Sequence, residues 1–334
     1  MLTVDEAMRR AIELATSPDA PRGPNPRVGC VLLDGHGLVV GEGYHHGAGT
    51  PHAEIEALAR AGAAARGATA VVSLEPCSHT GRTGPCTQAL IEAGVVRVVY
   101  AQSDPTDLAG GGAAVLREAG LDVVGGVLAA DAAAVNRAWT HVQQTGRPFI
   151  TMKTAMSLDG RVADASGGPT AITGGPAREL SHALRADVDA ILVGTGTAVV
   201  DDPRLTARDS AGALRAQQPL RVVMGTRALP PGLHLFDDSA ATLVLATRDP
   251  VDVVRQLGER GVQHLLVEGG PTISAAFLEA DLVDELVWFI APRFLGAGPV
   301  SLPALSAQRD VHVREVRVVG DDVVLFCTLD HRGA

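Results

Sequence analysis

Apolar residues recur along this chain in two periods, and the alternation between them lays out its elements. From Asp5 to Ala15 they fall at helical spacing among charged residues, which predicts an amphipathic helix. Val28–Leu33 and Leu38–Gly41 are short apolar runs around Asp34-Gly35-His36-Gly37 and predict a hairpin. A helix from His52, a strand over Thr69–Leu74, a helix from Cys86 ending near Gly94 and a strand over Val95–Ala101 follow. A short helix over Ala113–Ala119, a strand over Leu121–Val124 and a helix over Asp131–Gln144 complete the first stretch. Such alternation predicts a mixed α/β sheet with helices on both faces. Gly146-Arg147-Pro148 then breaks the pattern, which places a boundary between a first domain, 1–146, and a second, 147–334. The second half starts again with a strand over Phe149–Thr154. Further buried-type strands are expected over Ala190–Val193, Leu220–Met224, Thr242–Ala246, His264–Val267, Glu285–Ala291 and Val323–Leu329, with helices between several of them. This predicts a second complete α/β domain with its own core.

Composition narrows the class. The chain has 334 residues, long for one domain and comfortable for two, and at 46% hydrophobic and 20% charged it is globular. A formal charge of -10 with only 3% aromatic residues disfavours a nucleic-acid partner, whose capture needs basic grooves and stacking rings. No apolar stretch reaches the eighteen or so residues of a membrane span. Met1-Leu2-Thr3-Val4-Asp5-Glu6 lacks the basic and apolar regions of a signal peptide, and four cysteines make no disulfide scaffold, so a cytoplasmic location is expected.

The chemistry concentrates in two segments. One reads Thr50-Pro51-His52-Ala53-Glu54, the other Glu75-Pro76-Cys77-Ser78-His79 through Cys86. His52, Cys77 and Cys86 form a three-ligand set for zinc, which leaves a fourth position for water. Glu54, two residues beyond the histidine, cannot easily share the metal with it and is the candidate proton carrier. The pattern is a variant of the H-x-E…P-C-x-x-C signature of zinc-dependent base deaminases, with eight residues between the cysteines rather than two. Thr50 reads as an N-cap with Pro51 as first helical residue, and Pro85 as the opening of the Cys86 helix. A closed structural zinc site with His79 as fourth ligand is the competing reading. Cys30 and Cys327 sit in apolar runs and read as core residues.

Dinucleotide fingerprints are weak. Gly194-Thr195-Gly196-Thr197 follows a strand but lacks the third glycine of the usual motif, and Gly41-Glu42-Gly43 reads as a turn. Lys153 is the only lysine among 28 basic residues and reads equally as a solvated strand end or as a functional cation.

Over nearly its whole length the chain resembles the bifunctional deaminase/reductase family of riboflavin biosynthesis. The first half carries Asn25-Pro26-Arg27-Val28-Gly29-Cys30-Val31, Gly41-Glu42-Gly43-Tyr44-His45, His52-Ala53-Glu54 and Glu75-Pro76-Cys77-Ser78-His79 through Cys86. The second carries Lys153-Thr154-Ala155-Met156-Ser157-Leu158-Asp159-Gly160-Arg161, Leu184-Arg185, Asp201-Asp202-Pro203-Arg204-Leu205-Thr206 and Val267-Glu268-Gly269-Gly270-Pro271-Thr272. The resemblance implies a cytidine-deaminase-like three-layer α/β/α domain followed by a dihydrofolate-reductase-like α/β domain. It implies zinc-dependent loss of the 2-amino group of 2,5-diamino-6-(5-phosphoribosylamino)pyrimidin-4-one. NADPH would then reduce the ribosyl group, giving 5-amino-6-(5-phosphoribitylamino)uracil. It also implies a homodimer paired through the reductase domain. His52, Cys77 and Cys86 match the family's zinc ligands, Glu54 its proton carrier, and Asn25 and His45 its pyrimidine contacts. Pro169, Arg185, Leu205, Arg208 and Glu268 match substrate positions. Ala155, Ala171, Thr197, Asp201, Thr226 and Gly270 match cofactor positions. Two departures stand out: Ala171-Ile172-Thr173 replaces a frequent Trp-Ile-Thr, and Pro169 replaces a small polar residue. Deamination of another nucleoside or of RNA, and a non-enzymatic zinc protein, are the alternatives.

Overall fold

In the computed structural model, residues 1–17, 20, 23–79, 84–106, 109–166 and 170–331 are described, so the predicted substrate residue Pro169 lies outside the described residues. The chain divides into two units, Met1–Gly146 and Arg147–Ala334.

The first unit runs α1 (Val4–Ala15), β1 (Gly29–Leu33), β2 (Val39–Tyr44), α2 (Ala53–Ala61), a 3-10 turn at Gly62–Ala65, β3 (Thr69–Leu74), α3 (Cys86–Glu92), β4 (Arg97–Gln102), α4 (Gly112–Glu118), β5 (Asp122–Gly125), α5 (Ala129–Val135) and α6 (Arg137–Thr145). Its five strands lie in the order β2-β1-β3-β4-β5. β1 pairs antiparallel with β2 and β3, whereas β3, β4 and β5 run parallel. Both faces are covered. Cys30, Leu32, Val72 and Val98 pack with Ala53, Ala57, Leu90 and Leu116 of α2, α3 and α4. Val31, Leu33, Val71 and Val99 pack with Met8, Ala11 and Ala132 of α1 and α5. Alternate residues of one strand therefore serve opposite layers, as the period of two requires.

Gly41-Glu42-Gly43 is not the turn its composition suggests; it lies within β2. A Cβ on Gly41 would sit 2.3 Å from the Ala57 carbonyl oxygen, and one on Gly43 2.4 Å from that of Ala53. The glycines are there so that α2 can lie against the strand backbone. The helix expected over Asp131–Gln144 is likewise two helices, broken at Asn136. The apolar period runs through the break, but the Asn136 side chain is committed elsewhere. Its Oδ1 accepts from the Arg27 N–H at 2.8 Å and its Nδ2 donates to the Arg27 carbonyl at 2.9 Å. That pair of bonds imitates a strand partner and fixes the segment that bears Asn25.

The second unit runs β6 (Phe149–Ser157), α7 (Gly175–Ala186), β7 (Ala190–Gly194), α8 (Thr195–Val200), β8 (Leu220–Met224), a 3-10 turn at His234–Phe236, β9 (Thr242–Leu245), α9 (Pro250–Gly258), β10 (His264–Val267), α10 (Pro271–Glu279), β11 (Glu285–Ala291), β12 (Val311–Val319) and β13 (Asp322–Leu329). Its eight strands lie in the order β12-β13-β11-β6-β10-β7-β8-β9. The stretch from β11 to β9 is parallel, and β13 and β12 close one edge antiparallel. Strand β12 has no counterpart in the sequence reading. It is an exposed edge whose valines are interrupted by Arg314, Glu315 and Arg317, with a register shift between Val313 and Glu315. Charges and bulges of this kind protect an edge and erase the apolar signature that reveals buried strands.

Gly43→Ala should therefore push α2 off β2. We expect a loss of about 1–3 kcal/mol in the stability of the first unit and a fall in zinc content, since the displaced end of the helix carries His52. Thermal unfolding and elemental analysis check this; unchanged values for both would refute the close-approach account.

Candidate active sites

Three side chains from separate parts of the first unit converge. His52 is the N-cap of α2, with extended φ/ψ of -71° and 161°. Thr50 is not the cap, because its hydroxyl and amide both bond the Gly47 carbonyl, at 2.7 and 3.0 Å. Cys77 follows β3, and Cys86 opens α3 with Pro85 as its N-cap. One donor atom from each of His52, Cys77 and Cys86 lies within 4.8 Å of the others. His52 Nδ1 is 3.2 Å from Cys86 Sγ and 3.6 Å from Cys77 Sγ. Zinc–sulfur and zinc–nitrogen bonds of about 2.3 and 2.0–2.1 Å in a tetrahedron demand similar separations, so the set fits zinc. His79 is outside this cluster, leaving three ligands rather than a closed set.

The local fold holds these ligands firmly. Gly112 lies where a Cβ would come 1.8 Å from the Pro76 carbonyl oxygen. The carboxylate of Glu75 accepts from the Ala113 N–H at 2.9 Å and the Asp104 N–H at 3.3 Å. The Cys86 N–H donates to Cys77 Sγ at 3.4 Å. Cys77 is drawn down to about 4, first by the Cys86 thiol and then by His52, and the same contact pushes Cys86 up. A cation bound between them would take both sulfurs as thiolates and release their protons.

Glu54, 3% exposed, stands outside the ligand cluster but lines the same cavity, of about 190 Å³. Burial raises its carboxyl against the pull of His52, which favours a group able to hold a proton. Asn25 and His45 line this cavity too. Burial holds His45 below its ordinary value, so the ring is neutral. Its Nδ1–H then donates to the Pro51 carbonyl, 3.1 Å away, and its Nε2 accepts from Asn25 Nδ2 at 2.9 Å. Both ring nitrogens are spent within the protein, and the bond to Asn25 orients that amide. Trp139, Glu75 and Asp104 also face the cavity and were not singled out from sequence. Trp139, one of two tryptophans, offered a signal only in its rarity.

In the second unit, a cavity of about 660 Å³ opens at the carboxyl ends of β6, β7 and β10. Lys153, Ala155, Ala171, Thr197, Asp201, Glu268 and Gly270 all line it. Lys153 is no solvated strand end. It is an interior residue of β6, with Nζ 5.1 Å from the centre of the Phe289 ring, and burial lowers its pKa against the pull of Glu268. Glu268 takes both arms of Arg185, Nε to Oε1 and Nη2 to Oε2, each at 2.8 Å. Burial alone would raise Glu268, but Arg185 outweighs it and holds the carboxyl at about 2. Arg208 lies away from this cavity, donating to Thr206 Oγ1 at 3.2 Å and to the Gly212 carbonyl at 2.7 Å. Leu205 is 2% exposed, backbone and side chain together, and belongs to the core. Thr226 is exposed beyond β8 and lines no cavity described here. Cavities at the carboxyl ends of parallel strands, beside helix amino termini, suit a phosphorylated cofactor.

Cys86→Ser should lose zinc by elemental analysis, whereas Glu54→Gln should keep it. Glu54→Gln should nonetheless lose about 10²–10⁴-fold in hydrolytic amine release. Loss of zinc from Glu54→Gln would place the carboxylate among the ligands instead.

Comparison with known proteins agrees with both halves. Residues 148–325 match the family model of the RibD C-terminal domain, and residues 1–102 match the zinc-binding region of cytidine and deoxycytidylate deaminases. The riboflavin biosynthesis protein RibD of Mycobacterium tuberculosis (strain ATCC 25618 / H37Rv) is 49% identical over 300 residues, covering 90% of this chain and 88% of that protein. RibD of Escherichia coli (strain K12) is 42% identical over 357 residues, covering 95% and 97%. Acinetobacter baumannii RibD superposes with a TM-score of 0.87 at 34% identity, covering 98% of this chain and 99% of that one. A diaminohydroxyphosphoribosylaminopyrimidine deaminase/5-amino-6-(5-phosphoribosylamino)uracil reductase from Thermotoga maritima gives 0.89 at 31%, with the same coverage. Two α/β units, a three-ligand metal site and a cofactor-sized groove, each in its expected half, thus fall together with these relatives: the chain belongs to the RibD family of bifunctional deaminase/reductases.

Proposed function

We propose that the chain carries out two consecutive steps of riboflavin biosynthesis. In the first, the unit 1–146 hydrolyses the 2-amino group of 2,5-diamino-6-(5-phosphoribosylamino)pyrimidin-4-one; in the second, the unit 147–334 reduces the ribosyl group with NADPH. The observation that carries the first step is a buried carboxylate, Glu54, lining one cavity with three convergent zinc-type ligands. Bound zinc would supply the Lewis acidity that makes water nucleophilic near neutral pH, and His52, Cys77 and Cys86 would hold it. Glu54 takes a proton from water on its carboxylate oxygen and returns it to the amine that departs as ammonia. Asn25, its amide set by His45, offers a donor and an acceptor to the pyrimidine edge.

In the second site, Ala155, Ala171, Thr197, Asp201, Thr226 and Gly270 are proposed for the cofactor. Arg185, Leu205, Arg208 and Glu268 are proposed for the phosphoribosyl substrate, and Pro169 is added to them by resemblance alone. The Arg185 fork is already filled by Glu268, so that pair acts as one unit. Arg208, whose Nη2 makes no hydrogen bond among the described residues, is the better partner for a phosphate. Four cysteines without a disulfide suit a reducing cytoplasm, and among the described residues no helix is long and apolar enough to cross a membrane. A homodimer paired through the reductase domain is proposed on the family resemblance.

Incubation of the chain with the diaminopyrimidine phosphate should release ammonia without NADPH, and NADPH absorbance should fall only once deamination has run. Ammonia released from cytidine or RNA in preference would overturn the substrate assignment. Arg208→Ala should weaken reductase substrate binding by about 1.5–3 kcal/mol, read as a higher KM with ammonia release unchanged. Equal losses in both activities would mean a folding defect instead.

A further inference from the structure

The 660 Å³ groove of the second unit meets another of about 450 Å³, the two sharing Gly196, Thr197, Gly270 and Pro271. The first contains Lys153 and Glu268, beside the Arg185 pair, and is where a hydride would change hands. The second leads away past the amino ends of α8 and α10 toward Met224, Gly225 and Arg248. Its wall has one charged residue, Arg248, and no aspartate or glutamate among the described residues. Arg248 follows β9, is exposed, and makes no hydrogen bond or ion pair among the described residues. That separates it from Arg185 and Arg221, whose guanidinium groups are engaged on both arms, and from Arg208, which is held through Nε and Nη1.

Where a dinucleotide lies across the carboxyl ends of parallel strands, a carboxylate on the adenosine ribose accepts from a free 2′-hydroxyl, and an arginine there receives a 2′-phosphate. Resting on the reading of this unit as a nicotinamide-dependent reductase, we infer that Arg248 is the residue that selects the 2′-phosphorylated cofactor. The groove offers no acceptor for a bare ribose hydroxyl from an acidic side chain, and it offers an uncommitted guanidinium whose fork matches a phosphate. Arg227, exposed on the turn after β8 and outside both walls, provides a control of equal charge.

Isothermal titration of the full chain with adenosine 2′,5′-bisphosphate and with adenosine 5′-monophosphate tests this without turnover. The unaltered chain should prefer the bisphosphate by about 10- to 100-fold, the range a charge-assisted contact supplies. Arg248→Ala should bring the two ligands to within about twofold, Arg248→Lys should keep part of the preference, and Arg227→Ala should keep nearly all of it. A preference that survives Arg248→Ala, or that Arg227→Ala abolishes equally, overturns the assignment. Titration with whole cofactors separates it from the reading beneath it. Binding of NADPH and NADH with equal affinity sinks the role of Arg248 alone, and failure of both to bind sinks the reductase reading as well.

Discussion

Both sites depend on helices lying closer to strands than a methyl group permits. In the first unit the backbone of α2 rests on Gly41 and Gly43. In the second, Ile273 of α10 reaches between Gly194 and Gly269, where added Cβ atoms would come 2.8 and 2.5 Å from its side chain. Each contact fixes the amino end of a helix against a strand end, and that is where the functional groups stand: His52 and Glu54 on α2, Gly270 and Pro271 on α10. The interiors are dense enough that a shift of a few tenths of an ångström at such a contact has nowhere to dissipate. Position is set by what glycine omits.

From that shared device the sites diverge in their electrostatics. The deaminase cavity holds its titrating groups back from full charge: burial keeps His45 below its ordinary value and biases Glu54 toward its protonated form. The reductase groove keeps full charges in contact, with Glu268 held ionised by Arg185 and flanked by Lys153. A site that moves protons needs groups near the point of exchange. A site that grips a phosphorylated substrate and cofactor needs charges that do not change.

The convergence of His52, Cys77 and Cys86 was legible in the sequence because metal-site chemistry restricts residue type at each position. The inner strands were legible because burial on both faces leaves continuous apolar runs, as in β7. What was hidden was hidden for physical reasons. Gly41 and Gly43 look like a turn until a helix is laid across them. Asn136 interrupts no apolar pattern, since its break comes from a polar side chain serving Arg27, a hundred and nine residues away. Strand β12 mixes charge into its apolar positions because it guards an edge. Arg185, a substrate position by resemblance, is half of an ion pair with Glu268, a fact that belongs to tertiary structure. Arg248 stands after β9, in a segment with no recognisable motif.

The single lysine has a chemical corollary. Every other basic side chain is a guanidinium, so the outer surface of this protein presents no lysine amine. Lys153 opens only into the reductase groove, behind Phe289 and Glu268. Acylating reagents and amine-directed cross-linkers therefore meet no side-chain target on the exterior. Acetylation or conjugation aimed at lysine has one address, and it is the floor of a catalytic cleft. Burial also lowers that amine's hold on its proton, against the pull of Glu268, a bias that no surface lysine would share.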